Sequence, residues 1–389
     1  MYERIFGPSS VQLHNLNLVL RQIKEKGPVS RADLARNLNC SKSTVTNIVG
    51  ELIRFRLVRE VGKGSSATGR KSTLLVFNPN GYFVVAADLR PGRLNLAVVD
   101  LSGNIECQLE LQEGEFAPAE LLPRLIAGMR SLIKRARIDR ERIEAVGIMV
   151  SGVTNSLRGV VRYSAALGWE EPVELGALVG QALGLPVFIE NDVNALALAE
   201  SWLGCGQASD SLAYIYVDEK VGGAYIYKGS ISHGADFAFA EFGKLIVSGE
   251  RGAEQLEKRL AIPQLLNRFG AGAERAERAA ARPAEAFDRF LDLGEAARER
   301  FYEFLIETLS QVITTIVAIL DPHQIVLHCF SRDEAGFISR LTEATFKLLP
   351  RLPERTVRVV PATLLGQGEV IGAAAAAIGN TRFKFVVQG

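Results

Sequence analysis

Apolar residues between Val11 and Glu25 recur at helical spacing, with Leu13, Leu16, Val19, Leu20 and Ile23 on one face. Gly27-Pro28 predicts the end of that helix. Two shorter helical patterns follow. Ser30 with Asp33 three residues later is a capping signal, and Leu34 and Leu38 repeat at a helical interval. The pattern breaks at Asn39-Cys40. Ser41 can cap a new helix whose apolar stripe is Val45, Ile48, Val49 and Leu52. The opposite face carries Lys42, Ser43, Thr44 and Asn47. Leu57–Val61 and Ser72–Phe77 are β-prone and flank the glycine-rich, basic stretch KGSSATGRK. Residues 11–79 therefore read as a winged helix-turn-helix domain, with the Ser41-capped helix seated in a DNA major groove. On this reading Ser43, Thr44 and Asn47 touch base edges, while Lys42, Lys63, Arg70 and Lys71 meet phosphates. Asn78-Pro79-Asn80-Gly81 is a turn signal that closes the domain.

From Tyr82 onward strands alternate with helices, which predicts α/β layers. Strands are expected at Phe83–Asp88, Leu94–Asp100, Ile105–Leu111, Ala145–Val150, Val187–Ile189, Gln324–Leu327 and Val357–Val360. Helices are expected at Leu121–Arg137, Leu178–Leu183, Asn194–Leu203 and Phe301–Leu320, with a small-residue helix at Gly372–Ile378. Ala271–Ala286 reads as a surface helical excursion interrupted at Pro283. Phe83–Gln108 and Leu212–His233 share a pattern: a strand ending in aspartate, a glycine-containing turn, then a second strand. Two such halves facing one cleft make a two-lobed ligand-binding body. The lobes are placed at 82–190, completed by a C-terminal helix over 370–385, and at 191–369, which carries the oligomerisation helices.

Charge sharpens the division of labour. The net charge of the 389 residues is +1, yet Arg21–Lys71 holds 12 basic and 4 acidic residues and the remainder 33 basic and 40 acidic. A +8 head on a −7 body points to a local nucleic-acid partner. No apolar run reaches the roughly 18 residues of a membrane span, and MYERIFGPSS has no signal-peptide core. Cys40, Cys107, Cys205 and Cys329 are scattered and read as reduced thiols of a cytoplasmic protein.

The helix-turn-helix, the wing ending in Gly69-Arg70-Lys71, the stretch Ile189–Glu200 (IENDVNALALAE) and Asp321–Leu327 (DPHQIVL) together resemble the ROK family (repressor, open reading frame, kinase), in particular its regulator branch. The resemblance implies a winged helix fused to a two-lobed, actin-like α/β body of sugar-kinase type, assembled as a homodimer or homotetramer. It also implies a sugar site. The residue at the Asp192 position is the family's general base toward a sugar hydroxyl. Here it is expected to bind that hydroxyl, with no catalytic residue assigned. Asn191 beside it supplies a donor and acceptors. Glu241 and Glu257 match glutamates that bind ring hydroxyls. Ser151, Gly152 and Trp169 match loops that close around the sugar, and Trp169 offers an apolar face. The alternative for Asp192 is an N-cap of the following helix.

The chain departs from the family at several points. Ala165-Ala166-Leu167 stands where an asparagine is usual. The Gly-Glu-Ile-Gly-His motif becomes Ala240-Glu241-Phe242-Gly243-Lys244, and Ser248–Glu257 lacks the family's cysteines. Lysine has no acceptor to offer a metal, so no zinc is expected, and Lys244 is expected to hold Glu241 or Glu257 or to favour an acidic or phosphorylated sugar. The phosphate-cradling turns are also altered. They read Asp88-Leu89-Arg90-Pro91-Gly92, then Asp218-Glu219-Lys220-Val221-Gly222-Gly223, then His328-Cys329-Phe330. Proline removes a backbone donor and carboxylates repel a triphosphate. No nucleotide cofactor and no kinase activity are expected. The implied partners are a double-stranded DNA operator and a sugar or sugar-phosphate effector, with no membrane. Two alternatives stay open: a sugar kinase with a DNA-binding head, and a DNA-binding protein whose body is only a scaffold.

Overall fold

The structure is a computed structural model describing residues 10–65, 71–90, 93–111, 118–249, 252–269, 290, 294–329, 336–349, 357–384 and 387. The N-terminal domain contains α1 (Ser10–Lys26), β1 (Val29–Ser30), α2 (Arg31–Asn37), α3 (Lys42–Arg54), β2 (Val58–Ser65) and β3 (Lys71–Phe77). The Ser30 side chain caps α2 by accepting from Asp33 N, and Ser41 caps α3 by accepting from Thr44 N. Val45, Val49 and Leu52 of α3 are buried with Leu16, Val19, Leu20 and Ile23 of α1. Each such side chain contributes about 1.5–3 kcal/mol by leaving water. β1, β3 and β2 form a three-stranded antiparallel sheet, in that order.

The body holds two five-stranded sheets of matching topology. The first runs β10-β7-β4-β5-β6, built from β4 (Phe83–Arg90), β5 (Arg93–Asp100), β6 (Ile105–Leu111), β7 (Ile143–Val150) and β10 (Val187–Asn191). The second runs β13-β12-β11-β16-β17, from β11 (Ser211–Val217), β12 (Val221–Tyr227), β13 (Ser230–Ile231), β16 (Gln324–His328) and β17 (Arg358–Pro361). In each, an antiparallel meander is extended by two parallel strands: β4–β7–β10 in one, β11–β16–β17 in the other. The repeat read from Phe83–Gln108 and Leu212–His233 falls on the antiparallel meander of each sheet.

Helices cover both sheets. α4 (Pro118–Ala136) and α5 (Leu175–Leu183) bury apolar faces on the first. On the second lie α7 (Leu256–Leu260), α8 (Ile262–Phe269), α9 (Glu295–Leu320) and α10 (Phe337–Leu348). α6 (Asp192–Trp202) and α11 (Gly368–Gly379) pack together between the sheets. Contrary to the expectation that no segment is long and apolar enough to span a membrane, α9 is so by length and composition. Its Phe301, Leu305, Leu309, Val312 and Ile316 are buried in the second core. The excursion read at Ala271–Ala286 lies outside the described residues. Two hairpins complete the body: β8 (Val153–Asn155) with β9 (Val160–Tyr163), and β14 (Ile246–Gly249) with β15 (Gly252–Gln255).

Candidate functional site

In the N-terminal domain, α3 presents Lys42, Ser43 and Asn47 to solvent. Thr44 is half-buried, and its hydroxyl shares a 2.8 Å hydrogen bond with Ser41 Oγ. Thr46, which the sequence reading passed over, is exposed one residue before Asn47. Lys63 lies in β2 and Lys71 in β3, whereas Arg70 lies outside the described residues.

In the body, the turn between β11 and β12 of the second sheet meets the residues that follow β7 and β10 of the first. β10 runs parallel to β7, with Asn191 level with Val150. Chain direction then changes abruptly into α6. Asn191, not Asp192, is the N-cap: its Oδ1 accepts from Val193 N at 2.9 Å, and its Nδ2 donates to Gly152 O at 2.8 Å. Asp192 occupies the first helical position and is 8% exposed. Its Oδ1 accepts from Val193 N at 2.9 Å, and its Oδ2 accepts from Lys220 Nζ at 2.7 Å. Lys220 also donates to Ser151 Oγ at 3.2 Å. Gly152 is held at φ 143°, and a side chain there would collide with Tyr163 O. Ser151, Gly152, Asn191 and Asp192 are therefore joined in one network. Lys220, from the altered turn Asp218–Gly223, is a fifth member.

Glu190 sits directly behind this network, 4% exposed. Its Oε1 accepts from Ser156 Oγ, Asn191 N and Asn194 Nδ2, and its Oε2 accepts from His233 Nε2 at 2.8 Å. Burial pushes the His233 pKa down, but the Glu190 hydrogen bond and charge outweigh it and raise the value overall. Glu190 stands in the recognisable Ile189–Glu200 stretch, whereas His233 did not stand out in the sequence, because a lone histidine far along the chain has no local pattern.

A second network lies beside the start of β12. Lys244 Nζ donates to Glu257 Oε2 at 2.6 Å, and that bond raises the lysine pKa, assisted by the Glu257 and Glu241 charges. Glu241 is exposed at the start of the turn Phe242–Lys244. Gly223 is needed for the turn to seat on β12: a Cβ there would lie 2.1 Å from Phe242 and 2.5 Å from Ala240 O. Lys244 spends its ammonium on Glu257 and has no lone pair, so these residues do not fit a zinc ion. Trp169 is not part of either network. It is 7% exposed and packs in the first lobe's core, so its ring is not the open apolar face the sequence suggested.

The turns at the other strand ends carry large side chains. Arg90 makes a forked contact with fully buried Asp88, Nε to Oδ1 at 2.9 Å and Nη2 to Oδ2 at 2.6 Å. Its Nη2 also reaches Glu369 Oε1 at 3.2 Å, in the first turn of α11. Burial nevertheless raises the Asp88 pKa from 3.8 to about 6. Asp218 is raised to about 6 as well, again chiefly by burial, although Tyr216 and Glu219 N donate to it. At the end of β16, His328 shares a 2.8 Å hydrogen bond with Tyr214 and is pushed by burial down to about 4, so it is neutral at pH 7. Phe330 and the Pro91-Gly92 tip lie outside the described residues.

The profile of the ROK family matches residues 85–380, and that of a winged helix DNA-binding domain matches residues 14–81. A xylose repressor from Caldicellulosiruptor bescii is 30% identical over 237 residues, 60% of this chain and 59% of that protein. The DNA-binding transcriptional repressor Mlc of Escherichia coli is 28% identical over 232 residues, 59% of this chain and 57% of that one. The dual regulator NagC of the same species is 23% identical over 348 residues, 87% of this chain and 83% of that protein. The chain spans less than two thirds of the length of the first two. In fold it superposes on a ROK family transcriptional regulator, a homologue of the E. coli Mlc protein, with a TM-score of 0.76 at 22% identity, covering 98% of this chain and 100% of the other. A ROK hexokinase from Thermus thermophilus superposes with a TM-score of 0.61 at 24% identity, over 76% of this chain and 97% of that one. A two-lobed actin-like body behind a winged helix, and a family profile matching most of its length, together establish that this chain belongs to the ROK family.

Proposed function

We propose that the chain is a sugar-responsive transcriptional repressor of carbohydrate-use genes. The α3 helix reads an operator, a sugar binds beside Asp192, and the body does not phosphorylate it. The protein works in the cytoplasm as a homodimer or homotetramer, whose paired heads read half-sites at fixed spacing. The repressor names of its relatives support the regulatory role. The observation that carries the non-enzymatic reading is the occupancy of the cleft by the protein's own cations. Lys220 holds the Asp192 carboxylate, and Arg90 fills the space between Asp88 and Glu369. A general base must be within reach of the hydroxyl it deprotonates and free to take the proton. Both oxygens of this carboxylate are engaged, Oδ2 by the Lys220 ammonium at 2.7 Å and Oδ1 by Val193 N at 2.9 Å. Arg90 and Pro91 replace the small donors that a triphosphate needs.

The test uses purified full-length protein. Bound DNA is selected from genomic fragments, and D-xylose, D-glucose and N-acetyl-D-glucosamine are titrated into the complex. Release of a specific fragment by one sugar, with no sugar-dependent ATP consumption, is the expected result. Sugar-dependent ATP consumption would establish a kinase instead. Replacing Asn47 relaxes sequence preference, whereas Lys71→Ala weakens all sites evenly and lowers the salt slope by about one.

A further inference from the structure

Lys220 reaches the first lobe from the second, out of the turn between β11 and β12. Ser151 at the end of β7 and Asp192 at the start of α6 receive two of its three N–H groups. The lysine side chain stays 39% exposed, and that of Asp192 11%. The pair therefore offers a ligand an N–H donor and a carboxylate acceptor side by side. A sugar hydroxyl is itself both donor and acceptor. It can donate to Asp192 and accept from Lys220 at once. A phosphate ester in the same place offers acceptors only and brings a charge of about −1.5 to −2. It would face the carboxylate of Asp192, and the neighbouring nitrogen donors already have carboxylate partners. Lys220 is on Asp192 at 2.7 Å, His233 on Glu190 at 2.8 Å, and Lys244 on Glu257 at 2.6 Å.

We propose that Lys220 is a specificity-determining residue of the sugar site. With Asp192 it binds one free hydroxyl of a neutral sugar, and together they select against sugars phosphorylated there. The proposal rests on the reading of this cleft as a sugar site. It also makes the ligand a bridge, because Lys220 follows β11 of the second sheet, whereas Ser151 follows β7 and Asp192 follows β10 of the first.

Calorimetric titration of the full chain with D-xylose, D-glucose, N-acetyl-D-glucosamine, glucose 6-phosphate and N-acetylglucosamine 6-phosphate tests it. A neutral sugar should bind most tightly. Lys220→Met should weaken that sugar by about tenfold or more, the loss of a charged hydrogen bond. Lys220→Gln should do the same if the methionine variant does not fold. The Asp192→Asn/Lys220→Met double variant should lose less than the product of the two single losses, because both residues hold one hydroxyl. Binding by Lys220→Met within about twofold of the parent would overturn the proposal, as would multiplicative losses or a tightest-binding phosphate. Those results would leave the sugar site itself standing. No binding of any of the five to the parent protein would overturn the sugar site and, with it, the role given to Lys220.

Discussion

At the scale of single residues, Asp218 sets a pH dependence of known sign. Its folded pKa of about 6 lies above the usual 3.8, with burial the largest cause and Tyr216, Glu219 N and Arg90 opposing it. The folded chain thus keeps a proton that the unfolded chain releases. This contribution to stability is full below pH 4 and is lost as pH rises through 6, a step of roughly 2–3 kcal/mol. Asp88 shifts in the same direction. Asp218→Asn should therefore lose less stability than the parent between pH 4 and pH 7 in urea unfolding, while Asp88 preserves part of the slope. An unchanged slope would mean that Asp218 does not carry the step. Ala240 gives a second test. It stands where the family has glycine, at φ 59°, a left-handed conformation that costs a side-chain-bearing residue about 1–2 kcal/mol. Glycine gives back part of that as unfolded-state entropy, so Ala240→Gly should stabilise the chain by about 0.5–1 kcal/mol in the same assay. The site was only half legible in the sequence. Asn191 and Asp192 stood in a recognisable stretch. Lys220 and His233 reach their carboxylates across 28 and 43 positions, and contacts of that kind leave no periodic trace. Trp169 misled because a tryptophan after glycine looks the same whether it faces a sugar or a core.

Among the elements, α11 packs closely on both α6 and β7 in one seam. A Cβ on Gly372 would lie 2.1 Å from Ala195 O, and one on Gly147 would lie 1.9 Å from Ala373 O. α11 is thus pressed onto β7 on one side and α6 on the other, with Ala373, Ala374 and Ala377 filling what little space remains. α6 carries Asp192 at its first position, and α11 carries Glu369 in its first turn, so the seam fixes these two carboxylate-bearing helix starts to each other. Gly372→Ala should force the helices apart and cost about 1–3 kcal/mol, read by denaturant unfolding. A cost near zero would mean that the seam yields easily. This seam explains what the sequence disclosed of the fold and what it did not. The run Gly372–Ile378 announced a close-packed helix by its small residues, and the apolar runs of β4, β7 and β16 announced strands. Periodicity reports which face of an element is apolar, not which element it meets. That α6 and α11 would share one interface between the sheets was outside its reach.

For the whole molecule, the decisive feature is how the head is joined to the body. The joint spans Asn78–Tyr82 and is gripped from both ends. On the head side, Asn78 N donates to Leu57 O and Asn78 Nδ2 donates to Arg56 O at 2.7 Å. On the body side, Arg142 donates to the carbonyls of Asn80 and Gly81 and lies over the Phe83 ring at 5.0 Å. Arg382, just beyond α11, lies 4.8 Å from the Tyr82 ring and 4.9 Å from the Phe383 ring, and donates to Glu144 at 2.7 Å. The joint is thus braced by side chains from the turn leading into β7 and from just beyond α11, the helix sealed to α6 and so to Asp192. In a sugar-responsive repressor, a change at the cleft has a stiff route to the head only while this brace holds. Arg142→Ala with Arg382→Ala removes it while leaving α3 and the cleft untouched. Cleavage of the folded protein at Tyr82 by chymotrypsin should then quicken several-fold, since proteolysis follows the population of locally opened chain. The same variant should bind DNA and sugar with the parent's affinities yet release DNA less completely at saturating sugar, because a linkage between two sites is lost without loss of either site. Unaltered cleavage would show that the head is held by other contacts. Faster cleavage with full sugar-driven release would show that the signal does not pass through the joint.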